Sequence, residues 1–358
     1  MLDRTIVGVD LEADSMHCFR EKVCLIQIAD EQEAYVVDPL SLSDFSPFKT
    51  LMETPSVTKV FHGSDFDIRS LDRDFNIRVN GLFDTEIACR FLGVRQRGLG
   101  TLLEEYFNVQ TDKKYQRYDW SKRPLNDEMI DYSRTDVAHL VDLAGKLTRG
   151  LNSKQRTEWA KEEFEIQSRV RYECNHTLPL FKKFKGAGRM DNRSLAVLEN
   201  LLKLRLDIAK KKDVPLFKVF GTDAIKQMVV DKPKTMAALK QSRALSKKQM
   251  NMYAGKCLEA IGSALVLSSK DLPSYPKFRK PRLSRDHEEM VKALKQLRDR
   301  ESERVDIEPG FLLNNATITA LVLAGPENTE ALGRLEGMRN WQVQAIGQEI
   351  LDTLKQGA

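Results

Sequence analysis

Residues 5–38 read TIVGVDLEADSMHCFREKVCLIQIADEQEAYVVD, and the spacing of three β-branched runs within them decides the fold. The runs are residues 5–10 (TIVGVD), 23–29 (VCLIQIA) and 34–38 (AYVVD), joined by short connections, a pattern that predicts three antiparallel strands. Beyond them strands and helices interleave. Residues 58–62 (TKVFH) predict a fourth strand, followed by a helix from Ser64, with Ser64 as N-cap candidate and Asp67 at the third helical position. Residues 82–84 predict a short strand leading to a helix through Leu92, and residues 100–107 and 126–150 predict further helices. Antiparallel strands followed by αβα units make an α/β domain over residues 1–150, a mixed sheet flanked by helices.

After Gly150 the strand signals stop. The remaining pattern is helical, with breaks at residues 177–189 (TLPLFKKFKGAGR) and 268–285 (SSKDLPSYPKFRKPRLSR), the second holding three prolines. A repeat at an offset of 93 residues runs through this half: Leu204 and Arg205 pair with Leu297 and Arg298, Ile225 with Ile318, Pro233 with Pro326, Leu239 with Leu332, Gln249 with Gln342, and Ile261 with Leu354. Val214 and Pro215 align with Glu308 and Pro309 after a one-residue insertion. The expected layout is a helical, basic linker at 151–187, an all-α module at 188–268, a proline-rich basic linker at 269–283, and a second all-α module at 284–356.

The chain of 358 residues has a formal charge of +5, but the charge is unevenly placed: −7 over residues 1–150, +17 over 151–300 and −5 over 301–358. A segment this basic between acidic neighbours points to a polyanion partner, since each phosphate contacted releases condensed counterions. No apolar run approaches the roughly 18 residues of a membrane span, and MLDRTIVGVDLEADS lacks a signal-peptide layout. Five cysteines (Cys18, Cys24, Cys89, Cys174, Cys257) include no CxxC pair, which argues against a disulfide framework or zinc cluster and favours a reducing cytoplasm.

Asp10 and Glu12, two apart on a strand, leave the same face of the sheet. Taken singly each acid has an ordinary explanation: strand-end acids are common, Asp67 suits a helix N-terminus, and Tyr132 and Asp136 share a helix face as many exposed pairs do. Taken in order, strand carboxylates, helix carboxylate and Tyr-x-x-x-Asp form an all-oxygen set suited to hard divalent cations. Two such ions can activate water and stabilise a leaving oxygen in phosphodiester hydrolysis, and a tyrosine hydroxyl beside that water can orient it or help take its proton.

VGVDLEAD, VCLIQIAD, VFHGSDFDIRSL, LFDTEIACRFLG, YDWSKRPL and IDYSRTDVAHLVDL, in this order, closely resemble the motifs of the ribonuclease D family. The resemblance implies a 3′→5′ exonuclease of the DEDD class, tyrosine subclass, on a ribonuclease H-like fold. It implies that Asp10, Glu12, Asp67 and Asp136 are metal ligands and that Tyr132 sits beside the attacking water. The histidine subclass would place His where Asp131 stands. The two helical repeats are similar to helicase-and-ribonuclease-D C-terminal (HRDC) modules. Two Mg²⁺ or Mn²⁺ ions are the implied cofactors, and the implied reaction releases nucleoside 5′-monophosphates from RNA with single-stranded 3′ ends, tRNA precursors among them. The same residues also suit a DNA 3′→5′ exonuclease, and a non-catalytic nucleic-acid-binding adaptor is the rival from another class. No membrane contact or obligate protein partner is implied. Only nine residues precede Asp10, fewer than members of the family usually carry, which leaves open an upstream element that closes the fold or lines the pocket.

Other residues have open roles. His62 is either a donor at the substrate edge or a hydrogen-bonded core residue, His139 reads as a packing or surface residue, and His17 and Cys18 as a hairpin tip. Lys182, Lys183, Lys185, Lys210, Lys211 and Lys212 are the expected nucleic-acid contacts of the first module, with Phe181, Phe184 and Phe217 as candidates for base stacking. The second module, acidic by comparison, is expected to be a packing element that stabilises the arrangement or shapes access to the acidic site. The metal site is complete within residues 1–150, so this domain is expected to cleave short oligonucleotides alone.

Overall fold

The computed structural model describes residues 4–111, 114–173, 179–276 and 283–356; Cys174 and parts of both expected linkers lie outside the described residues. Five strands form one sheet: β1 (Ile6–Ala13), β2 (Val23–Ala29), β3 (Ala34–Val37), β4 (Thr58–Phe61) and β5 (Leu82–Asp84), in the order β3-β2-β1-β4-β5. β2 and β3 are antiparallel, while β1 with β4 and β4 with β5 are parallel, so the sheet is mixed as its sequence predicts. All seven residues of β2 are buried because helices cover both faces, which is why its sequence is apolar on both faces apart from Gln27, itself fully buried. β1 extends three residues beyond the expected end at Asp10. Leu11 continues the core face begun by Val7 and Val9, and this alternation keeps Glu12 inside the strand.

Helices α1 (Ser46–Glu53), α2 (Asp65–Phe75), α3 (Thr85–Leu92) and α4 (Leu99–Phe107) connect or follow the strands. The expected single helix over 126–150 is two, α5 (Asp127–Ala138) and α6 (Leu140–Ser153). The chain breaks at His139, whose backbone leaves the helical region and whose ring stacks on Phe107 at 5.3 Å. The break rests on β1 at Gly8: a Cβ there would lie 3.0 Å from Leu140 Cβ and 3.1 Å from the Val137 carbonyl. α7 (Thr157–Ser168) falls within the expected linker but belongs to the core, with Ala160 and Phe164 buried and Phe164 4.8 Å from Phe83.

The first module comprises α8 (Asn192–Lys212), α9 (Leu216–Val219), α10 (Thr222–Asp231), α11 (Met236–Gln241) and α12 (Lys247–Leu265). It encloses its own core, including Leu198, Ile225, Leu239 and Ile261, and forms a compact unit with residues 13–22. The second comprises α13 (Arg285–Val305), α14 (Pro309–Leu312), α15 (Asn315–Ala324), α16 (Thr329–Gly333) and α17 (Asn340–Gln356). Each helix begins 93 residues after its counterpart, so the expected insertion between Pro215 and Pro309 is absent: Pro215 precedes its helix, while Pro309 opens its own. The repeated glutamine has a physical cause. Gln249 accepts from the Ser246 N–H and donates to the Val219 carbonyl, and Gln342 accepts from the Arg339 N–H and donates to the Phe311 carbonyl. One amide thus caps a long helix and ties it to the end of a short one.

The second module shares a unit with the exonuclease domain, and their hydrophobic core is continuous from Val7 and Phe61 through Phe91 to Trp341 and Ile350. Residues 1–150 enclose two smaller clusters of their own, around Trp120 and around Leu140, but their main core continues into the second module, contrary to the expectation of an independent domain.

Candidate active site

Parity along β1 puts Asp10 and Glu12 on the face opposite Val9 and Leu11, and the close approach at Gly8 brings the end of α5 to that face. One carboxylate oxygen from each of Asp10, Glu12 and Asp136 consequently lies within 4.8 Å of the others. Asp67, in the first turn of α2, stands outside that trio, yet its charge raises the affinity of Asp10 and Glu12 for protons. Ser64 precedes α2 as expected but does not cap it with its hydroxyl. The hydroxyl and N–H of Ser64 both donate to Asp84 at 2.7 Å, and the Gly63 N–H donates to the same carboxylate at 3.0 Å. Asp84 also caps α3 by accepting from Glu86 and Ile87 N–H, so one buried acid fixes the start of α2, and Asp67 with it, against the sheet. Motif spacing alone missed this role, although an acid before a predicted helix was its local signal.

The cluster is strained by its own charge. Withdrawal from water and the neighbouring acids hold Asp10 well above the ordinary carboxylate range and push Glu12 up to about 8. Burial raises Asp67 to about 7 and Asp136 to about 6. Carboxylates that repel one another out of water, with oxygen as the sole donor, are the set a hard divalent cation would neutralise. The chemistry of the site fits a divalent-cation centre held by Asp10, Glu12, Asp67 and Asp136.

Tyr132 is half-buried, its ring 6.1 Å from Trp120 and 5.5 Å from Tyr115, and it shares a helix face with Asp136 four residues on. Trp120 comes from the YDWSKRPL segment, which Arg123 anchors through Asp38 and the Cys24 and Trp120 carbonyls. Both side chains open onto the same cleft, where the phenol can orient a water beside the carboxylates. Tyr132→Phe is expected to keep the fold and slow hydrolysis on the order of 10² to 10⁴-fold under single-turnover conditions. An unchanged rate would make the residue structural.

Asp10, Tyr132 and Asp136 line a cleft of about 620 Å³ with His62, Gly98, Leu99, Gly100, Thr101, Glu104, Gln110, Thr111 and Gln116. His62 is thus at the cleft and also tied into the protein, through Nδ1 to Thr85 Oγ1 at 2.9 Å. His17 and Cys18 lie in the turn after β1, where Asp14 accepts from the N–H groups of both. In the first module Lys182, Lys183, Lys185, Lys210, Lys211 and Lys212 are exposed, though Lys212 hydrogen-bonds Tyr253 at 3.0 Å. Phe181 is buried in the module's core with Phe184 against it, which removes both as stacking platforms; Phe217 is 51% exposed.

A mixed, helix-flanked sheet carrying clustered acids on one face, with a tyrosine one turn before the last of them, defines the class of DEDD 3′→5′ exonucleases. Residues 1–152 match the family described as 3'-5' exonuclease, and residues 194–261 and 287–354 each match the HRDC domain. Ribonuclease D of Nitrobacter hamburgensis is 28% identical over 98% of this chain and 90% of its own length. Protein RRP6-like 3 of Arabidopsis thaliana is 42% identical over 41% of this chain and 16% of its own. The crystal structure of Escherichia coli RNase D, an exoribonuclease involved in structured RNA processing, superposes with a TM-score of 0.72 at 23% identity, covering 99% of this chain and 94% of that one. The chain thus carries a 3'-5' exonuclease domain followed by two HRDC domains, and it is similar along nearly its whole length to ribonuclease D.

Proposed function

We propose that this protein removes nucleoside 5′-monophosphates one at a time from single-stranded RNA 3′ ends, those of tRNA precursors among them, in the cytoplasm. The observation that carries the reading is the all-oxygen cluster of Asp10, Glu12 and Asp136, with Asp67 behind it, in a cleft it shares with Tyr132. Two Mg²⁺ or Mn²⁺ ions, when bound, would supply the charge that activates water and steadies the leaving 3′ oxygen. The four carboxylates hold that charge in place. Tyr132, in the same cleft as Asp136, orients the attacking water toward the terminal phosphodiester. The first module supplies affinity along the strand. Among the described residues no helix is long and apolar enough to cross a membrane.

Matched single-stranded RNA and DNA, incubated with the wild type and Asp10→Asn in Mg²⁺ and in Mn²⁺, test this. Stepwise shortening of RNA with release of 5′-monophosphates is the expected result. Equal hydrolysis of DNA would favour the DNA exonuclease, and binding without hydrolysis the adaptor. The adaptor is disfavoured because mutually repelling carboxylates cost stability and serve binding in no way.

Neutralising Lys182, Lys183 and Lys185, or Lys210 and Lys211, is expected to weaken RNA binding and flatten its salt dependence by about 0.7 in slope per lost phosphate contact. Titrations at several salt concentrations measure this. An unchanged slope would move the RNA track off the first module.

A further inference from the structure

The loop between α3 and α4 joins the second module to the cleft. α3 ends at Gly93 with φ +82°, and a Cβ there would lie 1.9 Å from Asp306 Oδ2, so the turn between α13 and α14 sits where only glycine leaves room. Four residues on, Arg97 is 15% exposed in its side chain and spends its guanidinium in three directions. Nε donates to Glu86 Oε1 on α3 at 2.9 Å, Nη1 to the Val94 carbonyl at 2.9 Å, and Nη2 to Glu308 Oε2 of the second module at 3.1 Å. The next four residues, Gly98, Leu99, Gly100 and Thr101, line the cleft beside Asp10, His62 and Tyr132. A planar guanidinium held by two carboxylates has little freedom left, and neither has the backbone that carries it.

We infer that Arg97 and Glu308 are positioning residues through which the second helical module holds one wall of the exonuclease cleft in register with the carboxylates. The inference rests on the exonuclease reading. The metal-binding acids stand on β1, α2 and α5, and none takes its place from this loop. Loss of the link therefore shifts the wall that the substrate lies against and leaves the reacting groups where they are.

The test uses the full chain and a single-stranded oligoribonucleotide with Mg²⁺. Glu308→Ala is expected to raise KM by about tenfold, with kcat within about twofold of wild type. Glu308→Gln, which keeps an acceptor, should recover part of the loss. The Arg97→Ala/Glu308→Ala double variant should be no worse than Arg97→Ala alone, because one link has been cut twice. Arg95→Ala is the control: Arg95 pairs with Asp306 at 3.4 Å in the same docking contact, but both side chains are half exposed and lead nowhere in the cleft. Its KM should stay within about twofold of wild type. An unmoved KM for Glu308→Ala, or equal shifts for Glu308→Ala and Arg95→Ala, overturns the inference even where thermal stability falls. Should Arg97→Ala fail to fold, the comparison of Glu308→Ala with Arg95→Ala still decides. A wild type that cleaves nothing overturns the exonuclease reading instead.

Discussion

Asp10→Asn is expected to fold, to bind RNA and to hydrolyse it on the order of 10³-fold or more slowly, because one lost ligand unbalances the whole cluster. Glu12→Gln, Asp67→Asn and Asp136→Asn should do the same, and combined losses should not add, since the acids act as a unit. One of these substitutions, Asp136→Asn, also carries a stability signature of opposite sign. An unfolded chain releases carboxylate protons near their ordinary values, whereas the cation-free native protein holds that of Asp136 to about 6, of Asp67 to about 7 and of Glu12 to about 8. From roughly pH 4 to pH 8 the native state thus binds more protons than the unfolded one, and its stability falls as pH rises. Removing the charge of Asp136, which raises both Asp10 and Glu12, relieves part of that repulsion, so Asp136→Asn should melt higher than wild type at pH 8 without divalent cation, and near wild type at pH 5. Added cation should raise the wild-type melting temperature more at pH 8 than at pH 5 and do little for the variant. A cation-free wild type whose melting temperature climbs between pH 5 and pH 8 would show that these acids do not repel one another.

What the sequence made legible was what local chemistry repeats or what parity dictates. β2 shows as an apolar run interrupted by the buried Gln27 because both its faces are covered. The two modules show as a repeat because caps and ties recur: Thr235 and Asn328 cap α11 and α16 by the same bond, and Gln249 and Gln342 tie the same pair of helices. Asp10 and Glu12 share a face by strand parity, and Tyr132 and Asp136 by helical spacing. The break at His139 was hidden because it answers to a tertiary demand, the close approach of Leu140 and Val137 to Gly8. α7 passed for linker because Trp159, Ala160 and Phe164 are a thin apolar stripe, completed only by Trp341 and Phe83, far away in sequence. Arg97 and Glu308 lie 211 residues apart, and neither has a neighbour that announces the other.

Removing residues 284–358 is expected to abolish a stable exonuclease domain, where an independent domain would have survived as an active fragment. Phe91, fully buried, meets the Phe311 ring at 5.1 Å and the Trp341 ring at 5.0 Å, both edge-on, and Trp159 stacks 5.8 Å from Trp341. Polar ties are as dense. Glu162 on α7 accepts from the N–H groups of Asn340 and Trp341 at 2.8 and 2.9 Å, Glu163 accepts from the Trp341 indole at 2.7 Å, and Trp159 donates to Gln344 at 3.0 Å. Arg156 donates to the carbonyls of both Phe91 and Val305, so one guanidinium closes the end of α3 and the end of α13 together. Deletion would expose Phe91, strand Arg156 and unpair two glutamates at once, which accounts for expecting aggregation and not a smaller active enzyme. A point variant measures the contact without removing the module: Trp341→Ala leaves a cavity against three aromatic rings and should cost about 3–5 kcal/mol. Trp341→Phe keeps most of the ring but loses the bond to Glu163, and should cost markedly less. Denaturant unfolding of the two variants, followed beside activity, distinguishes the cases. A soluble, active fragment ending before residue 284, or a Trp341→Ala protein as stable as wild type, would show that the exonuclease domain encloses a sufficient core by itself and that the second module merely rests on it.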